Sequence, residues 1–96
     1  MRSSNQYTLK EAIEAYIKKF DRFGKFRRAA IISAWDEEMG PLIKKHTKNV
    51  YVNKDKLIVY LNSPVLKNEL NMGRSKIVKI LNDKVGVEVI KEVVIR

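Results

Sequence analysis

The sequence predicts an α+β domain with the order α-α-β-β-α-β, in which helices pack on one face of a three-stranded sheet. Apolar residues recur at helical spacing up to Met39, and from Val50 the pattern changes to short β-branched and aromatic runs. Helices on one side of a sheet bury all these apolar stripes together. With 96 residues the chain forms one domain. We expect residues 1–7 to be a flexible N-terminus and residues 8–96 to be the folded unit.

The first helix is predicted to begin at Thr8, because Thr8 and Glu11 have the spacing of a capping box. Its apolar face is formed by Leu9, Ile13, Tyr16, Ile17 and Phe20. Residues 21–24 predict a break before a second helix at about 25–39, which Gly40 is expected to cap. The apolar side of this second helix is predicted to consist of Ala29, Ile32, Trp35 and Met39, widened by Phe26, Ala30 and Ile31.

The second half of the chain predicts a hairpin, a helix and a last strand. Residues 50–52 and 57–61 pair around a polar turn, and the second run is the central strand because it is apolar on both faces. Ser63 and Pro64 have the residue types of an N-cap and a first helical position. The helix that follows either runs through Gly73 or breaks there into two. It ends near Gly86, and the last strand occupies about 89–95.

Composition narrows the classes of function. The formal charge of +9 favours a polyanionic partner, with nucleic acid ahead of an anionic membrane surface. The absence of cysteine removes disulfides, zinc–thiolate sites and thiol nucleophiles. No apolar run reaches the roughly 20 residues that span a bilayer. We therefore expect a soluble cytoplasmic protein that makes no membrane contact.

Catalysis is not expected, and neither is a cofactor or a metal. The acidic run 36–38 cannot converge on one ligand, because adjacent helical positions point about 100° apart. His46 lies among lysines with no orienting carboxylate, and the four glycines are too scattered for a phosphate-binding loop. The turn at residues 71–74 offers one glycine where a GxxG clamp needs two.

The basic residues form three groups that are candidates for nucleic-acid binding, because several phosphate contacts suffice for salt-sensitive binding. The largest surrounds the first inter-helix break: Lys18, Lys19, Arg22, Lys25, Arg27 and Arg28. The second contains Lys44, Lys45 and Lys48, and the third Arg74, Lys76 and Lys79. A solvated surface that only keeps a small protein soluble is the alternative. Four aromatic residues are candidates for stacking on unpaired bases: Tyr7, Phe23, Tyr51 and Tyr60.

Four segments occur in a characteristic order: Trp35-Asp36-Glu37-Glu38-Met39-Gly40 followed by His46-Thr47, then Leu57-Ile58-Val59-Tyr60-Leu61-Asn62-Ser63, then Leu66-Lys67-Asn68-Glu69-Leu70, then Leu81-Asn82 with Gly86, Val93 and Ile95. In order and spacing they resemble the DciA family of bacterial replicative-helicase loaders and operators, formerly a domain of unknown function. The resemblance implies a KH-like fold, binding of single- or double-stranded DNA, and contact with the hexameric replicative helicase.

Two departures from the family pattern matter. Leu66 stands where many members have tryptophan, so any role of that aromatic does not carry over. Many members also have a disordered basic extension, and without one beyond Arg96 we expect the chain to do less or to use its N-terminus instead. The leading hypothesis is a non-catalytic DNA-binding accessory of the replicative helicase. The alternatives are an RNA-binding KH-like module and a protein-interaction adaptor that binds no nucleic acid; the oligomeric state stays open.

Overall fold

The structure is a computed structural model that describes residues 8–21 and 24–96. In this part of the chain the elements are helices α1 (Leu9–Phe20) and α2 (Lys25–His46), strands β1 (Thr47–Asn53) and β2 (Lys56–Leu61), helices α3 (Pro64–Asn71) and α4 (Arg74–Val85), and strand β3 (Glu92–Ile95). The predicted α+β order is confirmed, with the third helix divided in two. The predictions for residues 1–7 and for Arg22 and Phe23 lie outside the described residues.

The sheet has the strand order β1-β2-β3, so β2 is the central strand as predicted. Strands β1 and β2 pair antiparallel, and β2 and β3 pair parallel. The β1–β2 connection is a two-residue turn in which Lys54 has a φ of 59°. The parallel pairing requires the chain to cross over between β2 and β3, and α3 and α4 form this crossover.

The core lies between the sheet and the helices. Trp35 is fully buried, and its indole Nε1 donates to the Thr47 hydroxyl oxygen at 3.3 Å. The same hydroxyl donates to the carbonyl oxygen of Ile43 at 2.6 Å, which ties the end of α2 to the start of β1. The buried cluster consists of Ile31, Ala34, Trp35, Leu57, Val59, Leu61, Ile77, Leu81, Ile90 and Val93.

Helix α2 differs from its prediction in face and in length. Ile31 and Trp35 are buried as predicted, and Ala34 is buried as well. Phe26 and Ala29 are exposed, because they lie before Ile31, the first residue of the helix that reaches the core. Gly40 does interrupt the helix, with a φ of 84° that suits glycine. The helical conformation resumes after it and continues to His46, so the predicted end at residue 39 is a kink.

The sequence left open whether the helix after Ser63 runs through Gly73 or breaks there. Helix α3 ends at Asn71, and Gly73 precedes the first residue of α4, so the helix breaks in two there. Ser63 caps α3 as predicted, because its hydroxyl accepts the backbone N–H of Leu66. Strand β3 is shorter than predicted and begins at Glu92. The reason is that the Asn82 side chain binds the backbone of Val89 and Ile90, which a longer strand would use for pairing.

Helix α1 stands apart from the core, contrary to the expectation that all apolar stripes are buried. It begins with the predicted capping box, in which Thr8 and Glu11 exchange hydrogen bonds. None of its residues is buried against the described remainder of the chain. Leu9, Tyr16 and Phe20 are 79%, 65% and 63% exposed. The Cα radius of gyration, 15.1 Å, exceeds the about 12.5 Å of a compact chain of this length, as a projecting helix requires.

Within the described ranges, no helix is long and apolar enough to cross a membrane.

Candidate nucleic-acid interface

The junction between α1 and α2 is organised by Asp21. Its carboxylate accepts the backbone N–H groups of Phe26 at 3.0 Å and of Arg27 at 2.9 Å. Gly24 precedes α2 with a φ of 71° and supplies no side-chain cap, so Asp21 satisfies donors of the first turn in its place. The Arg27 guanidinium completes the junction by donating from Nε to the carboxylate at 3.1 Å and from Nη2 to the Asp21 carbonyl oxygen at 2.9 Å.

The electrostatics of this junction favour the ionised carboxylate. Burial of the Asp21 carboxyl acts to raise its pKa, because the charged form loses hydration. The hydrogen bonds from the Arg27 and Phe26 backbone, together with the Arg27 guanidinium, outweigh this effect and hold the pKa below its ordinary value. Asp21 therefore carries a charge at neutral pH and orients Arg27.

The structure gathers the described members of the first basic group around this junction. Lys18 and Lys19 lie in the last turn of α1, and Lys25 is the first residue of α2. The guanidiniums of Arg27 and Arg28 pack against Gly24, where an added Cβ would lie 3.6 Å and 3.1 Å from them. A set of cations therefore surrounds one turn of the backbone, and Arg27 is already bound to Asp21.

A small cavity of about 180 Å³ brings two of these cations together between α1 and α2. Lys18 and Arg27 line it together with the acidic residues Glu14 and Glu88. Glu14 and Glu88 reduce the positive potential inside the cavity. The exposed lysines at the rim of the junction, Lys19 and Lys25, are therefore better placed for phosphate than the cavity itself.

The second basic group lies at the opposite end of α2. Lys44 and Lys45 belong to the last turn of that helix. The straight part of α2 from Lys25 to Met39 alone measures about 21 Å at 1.5 Å per residue. The first and second groups are therefore separate patches that the fold does not merge.

The third group lies on α4. Arg74 is the first residue of this helix, which begins without a side-chain cap, and Lys76 follows in the same turn. Lys79 forms an exposed ion pair with Asp83 at 3.1 Å, a type of contact that contributes little to stability. Its side chain lines the groove that separates α4 from α1.

This groove, of about 570 Å³, is bounded on one side by Leu9, Lys10 and Ile13 of α1. The other side is formed by α4 and by the segment 86–88. Helix α1 thus faces α4 across an open groove rather than packing tightly against it. Further along α1, the exposed rings of Tyr16 and Phe20 pack on each other with centroids 4.6 Å apart, and Lys19 lies 5.4 Å from the Phe20 ring centre.

The residues considered for chemistry have structural partners. The Nδ1 atom of His46 lies 2.7 Å from the amide oxygen of Asn62, which links the end of α2 to the end of β2. Glu38 lies 3.8 Å from the Lys84 ammonium and so joins α2 to α4. In the part of the chain that the structure describes, no group of three or more His, Cys, Asp or Glu side chains could hold a metal ion.

Asp21, which organises the junction, and Arg96, which lies on the sheet, were not singled out from the sequence. Asp21 was interpreted only as part of a break, although an acidic residue a few positions before a helix can accept the free N–H groups of its first turn. Arg96 was treated only as the end of the chain, although its alternation with Ile95 places it on the face of the sheet that lies away from the core.

Comparison with known proteins identifies a family. A family model described as Dna[CI] antecedent, DciA, matches residues 8–95, which is nearly the whole chain. Neither the curated proteins nor the solved structures gave a match.

Proposed function

Because the chain belongs to the DciA family, which is associated with loading of the replicative helicase, we propose that it is a non-catalytic accessory protein that binds DNA and that helicase. The observation that carries this proposal is the arrangement at the α1–α2 junction. There, a cluster of cations lies directly beside an apolar helix face that the described residues leave uncovered. Cations are suited to phosphates and an exposed apolar helix face to a protein groove.

The DNA-binding half of the proposal rests on Lys18, Lys19, Lys25, Arg27 and Arg28, with Arg22 adding to the same stretch of sequence. Lysines at the rim bind phosphate by releasing condensed counterions, which gives affinity without sequence preference. Arg27 also binds Asp21, and these bonds fix the turn that carries the neighbouring cations. Lys44, Lys45, Arg74, Lys76 and Lys79 are proposed as further contacts for a longer DNA.

Salt titration of binding to duplex and single-stranded DNA tests this half. The slope of log K against log salt should fall by about 1 for each lysine removed. We expect the double variant Lys19→Gln with Lys25→Gln to lose about two units of slope. Lys67→Gln on α3 is the matched control and should keep the full slope. Affinity that does not change with salt would contradict an electrostatic interface.

The helicase-binding half rests on the apolar stripe of α1. An amphipathic helix normally packs its apolar face on a partner, and Tyr16 and Phe20 remain exposed in the isolated chain. A pull-down of the replicative helicase should therefore lose the helicase when both residues are changed to Ser. Val65→Ser is the matched control, because Val65 is exposed to a similar degree, 69%, on α3. If the unmodified chain retains no helicase, this half of the proposal fails.

A KH-like fold is part of the same proposal, and it makes RNA the second candidate ligand. Two short helices joined at residues 71–74 connect the central strand to its parallel neighbour. KH modules clamp RNA backbone with a GxxG loop, and the turn here has Gly73 followed by Arg74 at an uncapped helix start. Competition between DNA and RNA strands of equal length and sequence separates the two ligands. Stronger binding of RNA would replace the replication role with one in RNA metabolism.

A further inference from the structure

The sheet has a second face that is turned away from the core. Along β2, Leu57, Val59 and Leu61 belong to the buried cluster that the helices cover. Side chains alternate between faces along a strand, so the intervening residues point the other way. The register places six residues in two adjacent rows on this outer face: Asn49, Tyr60 and Arg96 in one, and Tyr51, Ile58 and Val94 in the other.

Arg96 is fixed beside Tyr60 by the sheet itself. Its backbone N–H donates to the carbonyl oxygen of Val59 at 2.8 Å, and its carbonyl oxygen accepts the N–H of Leu61 at 2.9 Å. These bonds bracket Tyr60 and continue the parallel ladder by one residue beyond Ile95. A guanidinium therefore rises from the outer face next to an aromatic ring.

Two aromatic rings form the centre of this face. Tyr51 and Tyr60 stack with centroids 6.3 Å apart and ring planes 23° apart. Ile58, between Tyr51 and Val94 in the register, is only 5% exposed, whereas Tyr51 is 39% exposed. A hydrogen bond with Tyr60 that stabilises the protonated Tyr51 hydroxyl, together with burial, raises the pKa of Tyr51, and the nearby Arg96 charge opposes this only in part. Tyr51 thus lies beside a buried apolar residue and stays neutral at neutral pH.

Unpaired bases are the ligands that such a surface fits. A base stacks on an aromatic ring whatever its sequence, and the phosphate beside it needs a cation within reach. Open sheet faces that carry aromatic residues bind single strands in this way in other nucleic-acid-binding modules. In a duplex the bases are stacked on each other and cannot reach the rings. The amide of Asn49, at the edge of the same row, adds a hydrogen-bonding group for a base edge.

We propose that this outer face, centred on Tyr51, Tyr60 and Arg96, is a second binding site that takes the unpaired bases of single-stranded DNA. The choice of DNA over RNA rests on the proposed function, but the stacking site itself does not depend on the basic cluster at the α1–α2 junction. The basic cluster at the α1–α2 junction binds the phosphates of any strand, whereas the outer sheet face binds only bases that are unpaired.

The test compares two labelled strands of about 12 nucleotides, oligo-dT and an abasic strand of equal charge, by fluorescence anisotropy. The abasic strand should bind roughly 5- to 100-fold more weakly, because it has phosphates but nothing to stack. Tyr51→Leu should weaken oligo-dT binding without changing abasic binding, and Tyr51→Phe should restore it. Val65→Ala, which shortens an exposed apolar side chain on α3, is the control and should bind both strands normally. Trp35 fluorescence confirms that each variant is folded.

Equal affinity for the two strands would overturn the stacking site while leaving duplex binding by the basic cluster intact. Unchanged oligo-dT affinity in both Tyr51→Leu and Tyr60→Leu would overturn it as well. If the unmodified protein binds duplex but not the oligo-dT strand, the stacking site is refuted while the basic cluster is not. Absence of binding to duplex and single strands alike would refute the proposed function together with this site. If Tyr51→Leu instead dissolved a dimer in sedimentation, the face would be a contact between two copies and the proposal would be wrong.

Discussion

Asn82 is expected to hold the segment that leads into β3, and its removal gives the sharpest test of the fold. Its amide oxygen accepts the backbone N–H groups of Val89 at 2.9 Å and Ile90 at 3.1 Å. Its amide nitrogen donates to the carbonyl oxygen of Ile90 at 2.8 Å. One side chain therefore satisfies three backbone groups of a segment that forms no ladder of its own. Ile90, which these bonds position, is fully buried in the core.

The magnitude follows from those three bonds. Each intramolecular hydrogen bond contributes about 0.5–1.5 kcal/mol net, so Asn82→Ala should lower the free energy of unfolding by about 2–3 kcal/mol. A chain of this length has a total of about 5–14 kcal/mol. The variant should therefore stay folded at room temperature, with its Tm lower by roughly 10–20 °C.

Chemical denaturation followed by fluorescence measures this loss, because Trp35 is the single tryptophan and is fully buried. Asn82→Asp keeps the acceptor for Val89 and Ile90 but removes the donor, so it should fall between the unmodified protein and Asn82→Ala. Asn68→Ala, at an exposed position of α3, is the control. If Asn82→Ala unfolds within about 0.5 kcal/mol of this control, the three bonds do not stabilise the segment.

Two further predictions concern the core and the α1–α2 junction. Thr47→Val should lower the free energy of unfolding by about 2 kcal/mol, because the buried Trp35 indole N–H loses its acceptor. Chemical denaturation of this variant and of Thr47→Ser measures the loss. Equal stability of the two variants would show that the hydroxyl is not needed. Asp21→Asn should destabilise the protein at neutral pH, since the lowered pKa of Asp21 means that folding favours the charged carboxylate. This contribution is present above the ordinary aspartate pKa of 3.8 and disappears as pH falls through the lowered value. The Tm difference from the unmodified protein should thus vanish in strong acid, and a difference that is constant with pH would contradict this account.

Elements with local signals were predictable from the sequence. The capping box at Thr8, the Ser63–Pro64 start of α3 and the hairpin before Leu57 each depend on residues within a few positions of one another, and the structure contains all three. The central position of β2 followed from its apolar character on both faces.

Features that depend on distant contacts were not predictable. The amphipathic pattern of α1 indicates a face that needs a partner, but it does not say whether the partner lies in the same chain. In α2 two apolar stripes overlap, and only packing against α4 and the sheet selects Ile31, Ala34 and Trp35 over Ala29 and Ile32. The late start of β3 depends on Asn82, which no pattern within residues 87–95 reveals.

The basic group at the first inter-helix break was predictable as a cluster but not in its internal roles. Charge density along the sequence is enough to place cations near the break. The assignment of Arg27 to Asp21 requires the left-handed turn at Gly24, which brings residues six positions apart into contact. The phosphate-binding role of the group stays a prediction, and its rim lysines are the residues that decide it.

The two proposed DNA surfaces lie on different parts of the domain, so one strand can bind both of them at once. Helix α4 packs on the core side of the sheet, and α1 lies across a groove from the outer side of α4. The α1–α2 junction therefore belongs to the helices, whereas the stacked tyrosines lie on the open face of the sheet. Sites with no shared partner contribute additively to the free energy of binding. A single strand that reaches both surfaces gains binding free energy from each, whereas a duplex gains it only from the basic cluster. Two modest contributions are therefore enough to make the protein prefer single strands.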